Sequence, residues 1–147
     1  MKDIDDIDIQ ILNHLKEHGR DRVTTISDTL RINRVTAAER IEKLVKKGVI
    51  RKFTVKLNYD LMGQDVLAFV FISFKKNEEI TQEKLAGMIS AIDGVEEVHI
   101  IAGEFDILTK VRSRNLRDLG EKVINRIRSY PGVENTFSHV VFQTVKD

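Results

Sequence analysis

The chain has 147 residues, of which 41% are hydrophobic and 32% charged, a composition that folds and does not stay disordered. The formal net charge of +1 decides nothing about nucleic acid, whereas the absence of cysteine excludes disulfides, thiolate chemistry and cysteine-ligated zinc. No apolar signal region follows Met1-Lys2-Asp3 and no apolar run approaches membrane-spanning length, so the expected location is the cytoplasm and no membrane partner is expected.

Taken in chain order, Ile4, Ile7, Ile11 and Leu15 recur at helical spacing and predict a first helix over Asp6 to His18. Asp3, Asp5 and Asp6 suit the positive end of its dipole, and Gly19 stops it. Val23, Ile26 and Leu30 predict a short second helix, Arg31-Ile32-Asn33 a tight turn, and Asn33 an N-cap for a third helix ending at Gly48. Val49 to Leu57 alternates apolar and basic residues, the signature of a strand. Val66 to Phe74 is rich in β-branched and aromatic residues and predicts a strand buried on both faces. Thr81 then caps a helix carrying Leu85, Met88, Ile89 and Ile92. A strand follows over Val95 to Ala102, a turn at Gly103-Glu104-Phe105, and a strand over Asp106 to Arg112. Asn115 caps a helix through Ser129, and a last strand is expected over Val133 to Val145.

Two segments echo one another: Ile92-Asp93-Gly94-Val95-Glu96 and Tyr130-Pro131-Gly132-Val133-Glu134 each leave an amphipathic helix and open a strand. The implied fold class is α+β. A helix-turn-helix domain of winged-helix-like type occupies 1–58, and a ferredoxin-like βαββαβ domain occupies 59–147.

Charge is distributed unevenly over this frame. Arg31, Arg34, Arg40, Lys43, Lys46, Lys47, Arg51, Lys52 and Lys56 face only Glu39 and Glu42 in the same stretch, which is the footprint of a phosphate-binding surface. On a helical wheel Ala37, Ala38, Ile41, Leu44 and Val45 fall on one side, and Thr36, Arg40, Lys43 and Lys47 on the other. A basic helix preceded by a short helix and a compact turn is the arrangement that enters the major groove of double-stranded DNA. Its N-terminal residues Arg34, Val35, Thr36, Glu39 and Arg40 are the candidate base readers, with Arg40 suited to guanine and Val35 or Thr36 to thymine methyls. Lys43, Lys46 and Lys47, with Arg51 and Lys52 beyond the helix, are candidate phosphate contacts.

These features resemble the leucine-responsive regulator/asparagine-regulator (Lrp/AsnC) family. The similarity runs through Ile7-Asp8 with Ile11-Leu12, Arg40-Ile41 with Leu44, and Gly48-Val49-Ile50 leading into Phe53-Thr54-Val55. It continues through Ala102-Gly103-Glu104-Phe105-Asp106-Ile107-Leu108 and Pro131-Gly132-Val133 with Thr136 and Ser138. Arg31 departs from the glycine usual at that turn, and Ser138 from a frequent threonine. The resemblance implies homodimers that stack into tetramers or octamers, and an amino-acid effector bound between subunits. By position it implies effector contacts from Gly103, Glu104, Phe105, Asp106, Thr136 and Ser138. Turn amides at a glycine suit a carboxylate, and Asp106 suits an ammonium group.

Rival readings are an architectural DNA-compacting protein, and an enzyme resembling the sirohaem decarboxylases with His99 or His139 in its site. No nucleotide-binding fingerprint is present, and His14, His18, His99 and His139 lack metal-ligand spacing. No catalytic residue, metal site or cofactor is therefore expected.

Overall fold

The structure, a computed structural model, describes residues 4–75 and 80–146; Asp3 lies outside them. Residues 1–57 and 58–147 form two compact units.

The first unit holds three helices: α1 (Asp6–Glu17), α2 (Val23–Leu30) and α3 (Arg34–Lys46). Asp5 and Asp8 begin α1 with a reciprocal cap. The Asp5 carboxylate accepts from the Asp8 N–H at 3.0 Å and the Asp8 carboxylate from the Asp5 N–H at 3.2 Å, satisfying two of the amide groups a helix start leaves open. Ile11, Ile26 and Leu44, one from each helix, are fully buried together and form the centre of the core. Ile7, Leu12, Leu15, Leu30, Ile32, Ile41 and Ile50 pack around them. Between α2 and α3 the chain turns at Arg31 with φ 54° and ψ 42°, a left-handed conformation that a side chain resists.

The expected strand over Val49 to Leu57 is not formed. Val49 and Ile50 donate instead to the Leu44 carbonyl and close α3, and residues 51–57 pair with no other strand. Alternation alone makes a half-buried surface, but a strand also needs a neighbour for its amide groups. Phe53, Val55 and Leu57 are consequently exposed.

The second unit opens with a 3₁₀ turn (Asp60–Met62) and continues as β1 (Val66–Phe74), α4 (Gln82–Ser90), β2 (Val95–Ile100) and β3 (Ile107–Ser113). A last helical segment and β4 (Val133–Val140) complete it. The strands form one antiparallel sheet in the order β2-β3-β1-β4, the split βαβ arrangement. Val70 lies between Thr109 and Ser138, and Ile72 between Ile107 and Thr136. These residues face the helices, where Leu85, Ile89, Ile92, Leu119, Val123 and Ile127 complete the core.

β1 is central, but it is not sealed on both faces as its composition suggested. Phe69 and Phe71, on the face away from the helices, are only half-buried. Phe71 and Phe105 lie 5.1 Å apart, Phe71 and His139 5.2 Å, and Phe105 and Phe137 5.2 Å, forming an aromatic cluster on an open sheet face. The last strand stops at Val140, short of the expected Val145, and Phe142 and Val145 are exposed.

The last helical segment is not one uniform helix. It is α-helical over Leu116–Gly120, widens to π-helical turns over Glu121–Arg126 and tightens over Ile127–Ser129. Leu119, Val123 and Ile127 are each four residues apart, and in an α-helix such a row drifts roughly 40° at each step. Wider turns hold all three against the sheet, at the cost of regular winding. Gly132 then lets the chain return. Its φ is +86°, and a side chain there would strike the ring of Phe74 and Ile80.

Candidate nucleic-acid interface and effector site

The surface of the first unit is organised by the start of α3. Asn33 accepts from the Val35 N–H at 2.8 Å, so the helix begins abruptly and its first residues project from the turn. Arg34, Val35, Glu39, Lys43, Lys46 and Lys47 are exposed, Val35 to 63%, and Thr36 is half-buried. Arg34, Lys43 and Lys46 make no ion pair among the described residues. Arg51 and Lys52 are exposed on the unpaired segment that follows.

Two wheel assignments are corrected. Ala38 and Val45 are exposed and do not join the core. Arg40 does not project with the lysines, because its Nη1 donates to Asp5 at 2.7 and 2.8 Å and to Asp8 Oδ1 at 2.8 Å. The reason is angular: Arg40 sits roughly 40° from Leu44 and 60° from Ala37 around the helix, on the border of the buried face. Its partner Asp8 is 4% exposed, so the arginine neutralises a carboxylate that α1 has taken out of water. The same guanidinium, hydrogen-bonded to Asp5, holds that carboxyl below the usual aspartate range. Arg40 thus braces the recognition helix against α1.

The six candidate effector residues are divided in one chain. Gly103 turns the β2-β3 hairpin at φ +141°, open to solvent. Glu104 beside it is exposed. The ring of Phe105 lies on the open sheet face against Phe71 and Phe137. Thr136 and Ser138 pair with Ile72 and Val70 and face the opposite, helix-covered side. Asp106 reaches the same end of β1 as Thr136, its N–H donating to the Ile72 carbonyl at 3.0 Å. One oxygen of its carboxylate accepts from the Phe74 N–H at 2.7 Å, and its carbonyl accepts from Gln82 Nε2 at 2.8 Å. Asp106 therefore secures the end of β1 whatever else it binds.

Two residues of this region were missed from sequence, Gln82 and Arg128. Arg128 Nε donates to Thr136 Oγ1 at 2.6 Å across the Pro131-Gly132 return. The signal was available, since a helix that doubles back within a few residues sets its last side chains beside the strand that follows. His99 and His139, the residues of the enzyme reading, lie on β2 and β4 at opposite edges of the sheet. Among the described residues no group of three or more His, Asp or Glu could hold a metal ion.

A three-helix unit that projects a capped basic helix, followed by a βαββαβ sheet unit, defines a two-domain helix-turn-helix regulator. Residues 4–45 match the AsnC-type helix-turn-helix domain, and residues 67–147 match the Lrp/AsnC ligand binding domain. An uncharacterized HTH-type transcriptional regulator of Pyrococcus horikoshii is 40% identical over 98% of this chain and 96% of its own. The HTH-type transcriptional regulator LysM of Sulfurisphaera tokodaii is 38% identical over 97% and 98%. A transcriptional regulator of Neisseria meningitidis, solved in complex with L-Met, shares the fold with a TM-score of 0.91 at 23% identity, covering 97% of this chain and 92% of that one. The chain belongs to the Lrp/AsnC family, and it is a transcriptional regulator with a DNA-binding helix-turn-helix.

Proposed function

We propose that the chain works as a homo-oligomer that reads DNA sequence through α3 and changes its DNA affinity when its second unit binds a free amino acid. The observation that carries the DNA part is the abrupt, Asn33-capped start of α3 with its exposed basic row. In this reading Arg34, Val35, Thr36 and Glu39 contact base edges. Lys43, Lys46, Lys47, Arg51 and Lys52 hold phosphates, and Arg40 keeps the helix in place.

Two features support assembly through a second copy. Residues 51–57 are extended and unpaired with Phe53, Val55 and Leu57 exposed, and the sheet carries an open aromatic face with Phe137 at 49% exposure. Burying such surfaces is the usual route to a symmetric dimer. Two α3 helices would then meet half-sites about 34 Å apart or a multiple of that. The amino-acid response draws support from relatives such as the Neisseria regulator solved with L-Met. By the same reading the turn at Gly103, Glu104, Phe105 and Asp106 meets Thr136 and Ser138 of a partner copy around the ligand. No described helix is long and apolar enough to cross a membrane, and a DNA-binding regulator acts in the cytoplasm.

Selection from a random duplex pool, with and without each amino acid, tests the whole proposal, with light scattering run alongside. The expected outcome is a repeated half-site motif, an oligomer at micromolar concentration and a shift in DNA affinity with one amino acid. A monomer that enriches no motif would overturn it, leaving at most sequence-tolerant DNA compaction.

A further inference from the structure

Where the last helical segment returns into β4, the chain forms a recess of about 230 Å³ lined by Arg128, Val133, Glu134, Asn135 and Thr136. It is smaller than the ~300–1,000 Å³ pockets that take drug-sized ligands, and its lining is almost wholly polar. Arg128 is held in place: its Nε donates to Thr136 Oγ1 at 2.6 Å and its Nη2 to the Thr136 carbonyl at 3.4 Å. A guanidinium anchored by one edge keeps its remaining N–H groups in a fixed fork, the geometry that grips a carboxylate. Glu134 lines the same recess with the opposite charge. Neither Arg128 nor Glu134 makes an ion pair among the described residues. β4 is also an edge strand, so part of its backbone faces outward without a partner.

We infer that this recess binds a free amino acid as its zwitterion, with the carboxylate on Arg128 and the ammonium group on Glu134. The inference rests on the reading that the second unit binds an amino acid, but it moves the charge-reading groups from the Gly103–Asp106 turn to Arg128 and Glu134. Both ends of the ligand are matched by full charges at one small site, whereas the turn offers one carboxylate already tied to the Phe74 N–H. Val133 is the only apolar side chain of the lining, so the site favours small or polar side chains over leucine or methionine.

The test uses the full-length protein and calorimetry against glycine, alanine, serine, asparagine and leucine, with alaninamide and N-acetylalanine as controls lacking one charge each. Arg128 is exposed, so Arg128→Met keeps the fold, and Arg128→Lys retains the charge without the fork. Binding of a small or polar amino acid that falls at least tenfold in Arg128→Met, and is kept in Asp106→Asn, supports the site. Binding kept in Arg128→Met but lost in Asp106→Asn overturns it and leaves the turn as the effector site. Alaninamide binding as well as alanine overturns it too, because the carboxylate is then unread. If no amino acid binds below about millimolar concentration, both this inference and the amino-acid reading fail.

Discussion

Arg40 of the recognition helix donates to Asp8 of α1 at 2.8 Å, and Asp8 has almost no contact with solvent. The carboxylate accepts from the Asp5 amide on one side and the guanidinium on the other, so the helix start and the helix brace share one group. Removing the arginine leaves the carboxylate buried and uncompensated, which costs more than removing both partners. Arg40→Ala is expected to lower the thermal midpoint by several degrees. Asp5→Ala should lower it less, because Asp8 keeps its arginine. The double variant Asp8→Leu/Arg40→Leu should recover part of the loss. Thermal denaturation of the three proteins checks the order.

The same pair gives the acid limb of stability a defined origin. Hydrogen bonding to Arg40, then to the Asp8 amide, lowers the pKa of Asp5 in the folded chain. Between the unfolded value and the lower folded one the unfolded chain binds more protons, so stability from this group is full above about pH 4 and is lost as pH falls through the folded pKa. Denaturant midpoints measured from pH 5 downward should fall over that window. Asp5→Asn should flatten this limb.

Arg31 occupies the left-handed position of the α2-α3 turn, where a side chain is disfavoured by roughly 1–2 kcal/mol. Arg31→Gly removes that strain and adds unfolded-state freedom, for an expected net gain of roughly 0.5–1 kcal/mol. Urea unfolding measures it directly. Affinity for non-specific DNA should fall slightly in the same variant, since a cation beside α3 is lost.

The order of elements could be read from the sequence, because helix periodicity, the caps at Asn33, Thr81 and Asn115, and the Gly-marked turns are all local signals. Pairing is not local. Residues 49–57 alternate as a strand does, and nothing in their own pattern reveals that the chain supplies no neighbour. The widened turns of 121–126 escaped notice for a related reason, since a row at every fourth residue also suits an ordinary amphipathic helix. At the site, the basic row of α3 was visible as charge. The withdrawal of Arg40 depended on a carboxylate more than thirty residues earlier in the chain. Arg128 was missed because an arginine at a helix end suits the helix dipole and so asked for no other explanation.

Asp106 ties the end of β1 through the Phe74 amide. Asp106→Ala leaves that N–H without its charged acceptor and is expected to destabilise the second unit by roughly 1.5–3 kcal/mol. Asp106→Asn, which keeps an acceptor oxygen, should retain most of the stability. Hydrogen exchange at Phe74 reports the difference: rapid in the alanine variant, protected in the asparagine variant. It also makes asparagine the proper substitution for testing ligand binding.

The central claim is that α3 reads sequence with its first turns and holds phosphates with its later ones, and salt-dependent binding to a selected duplex and its scrambled counterpart tests it most directly. Arg34→Ala should lose roughly 1–3 kcal/mol on the selected duplex and little on the scrambled one. Lys43→Ala should weaken both alike and reduce the salt slope by about one. Equal losses on both duplexes for Arg34→Ala, with an unchanged slope for Lys43→Ala, would contradict the account.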